Sequence, residues 1–173
     1  MALWYFNTNL SLPMNTARQV SRALDEEHRN NLALLEKVEQ ALVRSAHYDA
    51  VHARLMAQFA AALEHDIERH FTFEEISLFP LMAEAGDGEM AELLREEHDT
   101  IREVATELLP LARSAASGPL DDASWSTLKR CALEMVERQV AHIQKETMAL
   151  LPLLDDLLDD ETDRELAFAY ASN

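Results

Sequence analysis

The chain has 173 residues, of which 32 are acidic and 15 basic, for a formal net charge of −17 at neutral pH. That field repels phosphate and argues against nucleic acid or an anionic membrane as a partner. Three glycines and five prolines are few for a β-sandwich or a nucleotide-binding α/β fold, and the single cysteine, Cys131, leaves no intrachain disulfide to form.

Residues 1–14 carry Trp4, Tyr5 and Phe6 in a row. This predicts an N-terminal arm packed over the rest of the chain, with a partner-binding patch as the alternative. The segment has no basic leader, and nothing in the sequence approaches a transmembrane span, so a cytoplasmic setting is the default expectation.

Four long helices follow. From about Thr16 to Arg44 the apolar residues Val20, Leu24, Leu32, Leu35, Val38 and Leu42 recur at helical spacing, with His28 on the same stripe. A second helix is expected from about Asp49 to Phe79, with Val51, Leu55, Phe59, Leu63, Ile67, His70 and Glu74 inward, and Pro80 stopping or kinking it. After the turn Ala85-Gly86-Asp87-Gly88, a third runs from about Glu89 to Ala112 on Leu94, His98, Ile101, Ala105 and Leu108, with Pro110 kinking its last turn. The fourth opens at Asp121 or Asp122, an acidic cap, and reaches about Leu151 on Leu128, Met135, His142, Glu146 and Leu150, where Pro152 ends or bends it. On that line Gln139 reads as a rim or hydrogen-bonded core amide, and Cys131 as a small buried hydrophobe. Residues 153–173 turn acidic and then read as a short helix or packed extension through Leu166 and Tyr170. The fold expected is all-α: one domain over residues 1–173, built as an antiparallel up-down-up-down four-helix bundle over about 16–155.

Within this frame one stretch recurs. His70-Phe-Thr-Phe-Glu74 leads to Leu78 and Pro80 as His142-Ile-Gln-Lys-Glu146 leads to Leu150 and Pro152. The upstream stretches Leu24-Asp-Glu-Glu-His28 and Leu94-Arg-Glu-Glu-His98 repeat as well, so the chain reads as two similar helical hairpins in tandem. Each hairpin supplies a lone His from its first helix and a His-x3-Glu from its second, whose i,i+4 spacing puts imidazole and carboxylate on one face. Because antiparallel helices rise equally per residue, His28, His70, His98 and His142 fall at similar heights when counted from the turns.

Singly, a buried His is more often a hydrogen-bonded core residue, and Glu74 or Glu146 a solvated one. Six such groups in register are most simply satisfied by a cation. The set is too rich in nitrogen for calcium or magnesium, lacks thiolate, and exceeds the four ligands of a structural zinc. It suits two Fe ions, each held by two His and bridged by Glu74 and Glu146; manganese or a mixed pair fits the same shell. His52 lies about 27 Å along the helix from His70 and is expected near the far end of the bundle. His47 is expected in a turn and His65 on the surface. Glu75 is expected at best to hydrogen-bond beside the site, and Glu27 and Glu97 to be solvated.

The pattern His28, His70-x3-Glu74, His98, His142-x3-Glu146 resembles the hemerythrin-like (HHE cation-binding) family over roughly residues 16–155. The resemblance implies an antiparallel four-helix bundle around a non-heme diiron centre, oxo- or hydroxo-bridged, with two bridging carboxylates. It also implies that His28 and His70 hold one iron and His98 and His142 the other. Members bind dioxygen, sense oxygen or iron, or act on nitric oxide or peroxide. The sequence departs from the oxygen-carrying hemerythrins, which place a further His where Arg102 stands and His-x4-Asp where this chain has His142-x3-Glu146. A coordination position left open at the metals favours redox reaction over simple oxygen transport. The expected function is dioxygen binding or sensing, with peroxide decomposition or nitric oxide handling close behind as the enzymatic alternative and an electron donor as a further partner. A metal-free bundle binding a partner through the Trp4–Phe6 arm is the non-enzymatic rival. A ferritin-like oxidase is disfavoured, because only Asp25-x2-His28 approaches its Glu-x2-His motif.

Overall fold

The structure is a computed structural model that describes residues 18–172. Five helices follow one another: α1 (Gln19–Arg44), α2 (residues 50–84), α3 (Gly88–Ser117), α4 (residues 122–157) and α5 (Asp160–Ser172). The first four form the expected all-α bundle, in which each helix packs on its neighbours in sequence and α1 closes the ring against α4. The aromatic run from Trp4 to Phe6, and the arm expected there, lie outside the described residues. No helix among them is long and apolar enough to cross a membrane.

Local chemistry sets the turns. Gly86 takes φ 101°, a left-handed conformation that a side chain would strain, and so permits the tight reversal between α2 and α3. Asp121 caps α4 by accepting a hydrogen bond from the Ser124 amide at 2.7 Å, as its acidic N-terminus predicts. His52, near the α1–α2 turn, bonds Ser45 Oγ at 2.9 Å and stacks on the buried Trp125, at the far end from the other core histidines.

The apolar side chains form two clusters. One, toward the turns at Ser45 and Gly118, holds Leu35, Phe59, Leu63, Ile101, Trp125 and Met135; the other, toward Gly86, holds Leu24, Leu78, Phe79, Leu94 and Leu150. The four histidines lie in a layer between them.

The second helix departs from its predicted line. Val51 is 74% exposed, and Leu55 and Ile67 are only partly buried; the inward positions are His52, Met56, Phe59, Leu63, Asp66 and His70. A tight 3-10 turn at Ala50–His52 sets His52 against Trp125 and leaves Val51 outward. Further along, Asp66 takes the inward place that hydrophobicity assigned to Ile67, because amides on two other helices reach it.

Neither Pro80 nor Pro152 ends its helix. Each follows a wide π-turn, Glu74–Leu78 or Glu146–Leu150, and helix continues to Glu84 and Leu157. In an ordinary helix proline clashes with the carbonyl four residues back, and the wider turn relieves that crowding. The Glu75 carbonyl, which a residue-80 amide would otherwise serve, accepts the Arg95 guanidinium at 3.5 Å. Pro110 is likewise carried inside α3, which runs on to Ser117.

The C-terminal extension is tied to the start of the bundle. No side chain at Arg18 caps α1; instead the buried Asp163 of α5 accepts hydrogen bonds from the Gln19 and Val20 amides at 2.9 and 3.0 Å. Replacing Asp163 with Ala is expected to cost roughly 1–2 kcal/mol, typical of a lost helix cap. Thermal unfolding of the variant beside the parent chain measures it, and an unchanged midpoint would show that α5 contributes no cap.

Candidate metal centre

The phase of α2 and α4 determines the site. Successive inward residues on α2, at 66, 70, 74 and 78, are four apart, a step that would drift by about 40° each time in an ideal helix. The π-turns at Asp66–His70 and Glu74–Leu78 absorb that drift by widening the turn, so His70 and Glu74 both point inward. In α4 the step from His142 to Glu146 is ordinary helix, and the π-turn that begins at Glu146 keeps Leu150 inward below it.

All six predicted residues come together, and all are buried. Glu74 places one oxygen 3.1 Å from His70 Nε2 and the other 3.4 Å from His98 Nε2. Glu146 lies 3.2 Å from His28 Nε2 and 3.0 Å from His142 Nε2. Each carboxylate therefore spans from one hairpin to the other. Ligand atoms of His28, His70, Glu74 and Glu146 lie within 4.8 Å of one another, as do those of Glu74, His98, His142 and Glu146. The two groups share both carboxylates.

The hydrogen bonding at the edges of the layer settles which ring nitrogens face inward. His98 Nδ1 lies 2.7 Å from Glu75, His142 Nδ1 3.1 Å from Glu97, and His70 Nδ1 3.2 Å from Glu27 and 3.0 Å from the Tyr170 hydroxyl. Carboxylates only accept, so each of these Nδ1 atoms carries the proton and its Nε2 lone pair faces the centre. His28 Nδ1 instead meets Thr147 Oγ1 at 3.5 Å. Phe71 lies flat against the His98 ring, with centroids 3.8 Å apart, and fixes its plane.

This arrangement fits a metal. All four oxygens of Glu74 and Glu146, and His28 Nε2, are buried without a hydrogen bond among the described residues. His98 and His142 bring two Nε2 atoms to 3.0 Å, a contact in which two lone pairs repel unless a proton or a cation lies between them. The field has the matching sign. Burial and the neighbouring Glu146 push the Glu74 carboxyl up, yet His70 and His98 outweigh them and hold it below the usual carboxylate range. Burial likewise opposes charge on His142, but Glu146 and Glu97 raise its pKa to about 10. The layer attracts positive charge, and buried carboxylates left without it cost several kcal/mol.

Three expectations need correction or addition. Glu27 and Glu97 are not simply solvated: each bonds a histidine on a neighbouring helix, and Glu27 is held to a pKa of about 2 as the bonds from His70 and Tyr170 outweigh burial. Each follows the inward stripe by less than a full turn, which aims it at the next helix, and only the packing reveals whose histidine it meets. Arg102, standing where oxygen carriers have a histidine, pairs with Glu75 at 2.8 Å and so supports His98 from outside. Tyr170 and Asp66 were not predicted. The spacing of Asp66, four before His70, was a usable signal; Tyr170 had none, because nothing local shows where α5 docks. His65 and His47 lie on the surface and in the turn, as expected.

The sequence profile of the hemerythrin HHE cation-binding domain matches residues 19–154. No curated protein matches the chain. The matched span runs from the first residue of α1 into the last turns of α4 and includes all six buried ligand candidates. By that match over most of its length, the chain belongs to the hemerythrin HHE cation-binding domain family.

Proposed function

We propose that this cation-binding domain is a non-heme diiron protein that binds or senses dioxygen or a related small molecule. In this reading His28 and His70 hold one iron, His98 and His142 the other, and Glu74 and Glu146 bridge. The observation that carries it is the pair of four-residue groups sharing both carboxylates, which is what two adjacent ions need and a single ion does not. Imidazole and carboxylate donors suit iron in both its common oxidation states; manganese or a mixed pair is accommodated by the same set. Ferrous ions so held would supply electrons and an open coordination position to a small ligand.

The protein's own side chains provide the rest. Leu24, Ile101 and Met135, all fully buried, close the layer above and below and exclude bulk water. The carboxylates behind His70, His98 and His142 fix each ring and raise its basicity toward a metal. A second reading, an enzyme that decomposes peroxide or handles nitric oxide, is favoured by one observation: the polar Asp66 sits beside the layer where a pure oxygen carrier would be served by apolar walls. An electron donor would then be a further partner.

Anaerobic loading of purified protein is expected to give two irons per chain, measured by elemental analysis. Dioxygen should then produce a charge-transfer band that bleaches under vacuum if binding is the role, whereas sustained consumption of peroxide identifies the enzyme. Glu74→Ala is expected to lose the spectrum of the coupled pair, and two coupled irons in that variant would show that the bridge is misassigned. Glu97→Gln, which weakens the support behind His142, is expected to lower metal affinity about 10–100-fold in a chelator competition.

A further inference from the structure

The C-terminal helix α5 lies beyond the span that matches the cation-binding domain, yet it supplies a hydrogen-bond partner to one of the six ligand candidates. His98 and His142 are supported from within the bundle, by Glu75 of α2 and Glu97 of α3. His70 is served differently. Its Nδ1 lies 3.0 Å from the Tyr170 hydroxyl, which in turn bonds Glu27 of α1. A carboxylate only accepts, so Tyr170 gives its proton to Glu27, and the phenol oxygen is left to accept from His70 Nδ1–H. Glu27 also stands 3.2 Å from the same Nδ1, so one hydroxyl holds both the imidazole and the anion behind it.

The helix that carries this hydroxyl is lightly held. Of its 13 residues Asp163 is buried, at the start of α1, while Leu166, Ala167 and Tyr170 are half-buried against the apolar cluster toward Gly86. The Tyr170 ring tilts on Phe73 with centroids 4.8 Å apart, and Phe168 is 75% exposed. A helix docked through so few apolar contacts opens at lower free energy than the bundle beneath it. Beside the contact lies a cleft of about 460 Å³, lined by Glu26, Glu27, His65, Arg69, His70 and Tyr170. Once Tyr170 lifts, water in that cleft reaches Glu27 and the outer nitrogen of His70.

We propose that Tyr170 is the positioning residue of His70 and that α5, through it, couples its own docking to the iron held by His28 and His70. The proposal rests on the diiron reading and deepens it: one iron is held by the bundle alone, the other by the bundle together with α5. With α5 docked, the hydroxyl fixes the His70 ring with Nε2 toward the centre, so little ordering is left for a cation to impose. With α5 lifted, the ring and Glu27 turn to water and must be ordered again when the cation binds. The coupling is reciprocal. The factor by which a docked α5 tightens the iron is the factor by which the iron tightens the docking of α5. Loss of that iron therefore loosens α5 and carries a change in the buried layer to the surface of the molecule.

The test uses the full chain and ferrous iron under anaerobic conditions. Tyr170→Phe keeps the ring on Phe73 and removes the hydroxyl. Chelator competition is expected to show one iron bound as in the parent chain and the other about 10–100-fold more weakly. In proton magnetic resonance of the loaded chain, the exchangeable Nδ1–H signal of His70, displaced by the iron, should move or vanish while those of His98 and His142 stay. Asp163→Ala, which loosens α5 at its other end without touching His70, should weaken the same iron. Hydrogen exchange of the α5 amides should slow when the parent chain is loaded and respond less to iron in Tyr170→Phe. A Tyr170→Phe variant that binds both irons within about threefold of the parent overturns the proposal, as does equal weakening of both irons, which marks a general loosening of the bundle. Exchange in α5 that is indifferent to iron in the parent chain overturns it too. In each of these cases the diiron reading survives. A parent chain that takes up no iron, or a single one, ends that reading and the proposal with it.

Discussion

Two carboxylates with nothing to hydrogen-bond are what the centre of this molecule is arranged around. Glu74 and Glu146 are fully buried between apolar clusters, and their four oxygens find no donor among the described residues. Unpaired carboxylates in such surroundings would protonate or destabilise the fold. Four imidazole Nε2 atoms surround them instead, and those of His70, His98 and His142 turn their lone pairs to the same space. Positive charge is demanded at the level of the bundle where these six polar side chains interrupt the apolar packing.

Meeting that demand requires helices whose phase does not drift. Ordinary α-helix carries residues four apart slowly around the axis, a drift that would accumulate along Asp66, His70, Glu74 and Leu78. Wide turns starting at Glu74 and at Glu146 return Leu78 and Leu150 to the inward line of those glutamates, and the prolines two residues further on fit because the turn before them is already open. In both hairpins the distortion begins at the buried glutamate itself, as expected for π-turns, which concentrate at functional sites.

The two hairpins are alike in their inward residues and differ in what stands behind them. His98 and His142 are backed by Glu75 and Glu97, and these are in turn paired with Arg102 and Lys145. Behind His70, Glu27 is joined by a tyrosine from the C-terminal helix, and behind His28, among the described residues, Thr147 stands at the limit of a hydrogen bond. One half therefore keeps its supporting anions neutralised by cations, while the other couples to α5 and lies beside Asp66. A repeated sequence has produced two metal-sized groups with unequal surroundings.

Much of this is legible in the residue pattern alone. Four amphipathic helices, the capping aspartate at 121, the turn at Gly86 and the common height of His28, His70, His98 and His142 all follow from a period of 3.6 residues and equal rise along antiparallel rods, which are local properties of the chain. The positions of Glu27, Glu97, Asp66 and Tyr170 are not legible there, nor is the passage of helix through Pro80 and Pro152. A polar side chain just off the inward stripe is solvated or buried according to which helix packs beside it and what that helix offers. The free energy of such a group depends on partners far away in sequence. Periodicity tells which face turns inward; only the assembled bundle decides which polar groups that interior can satisfy.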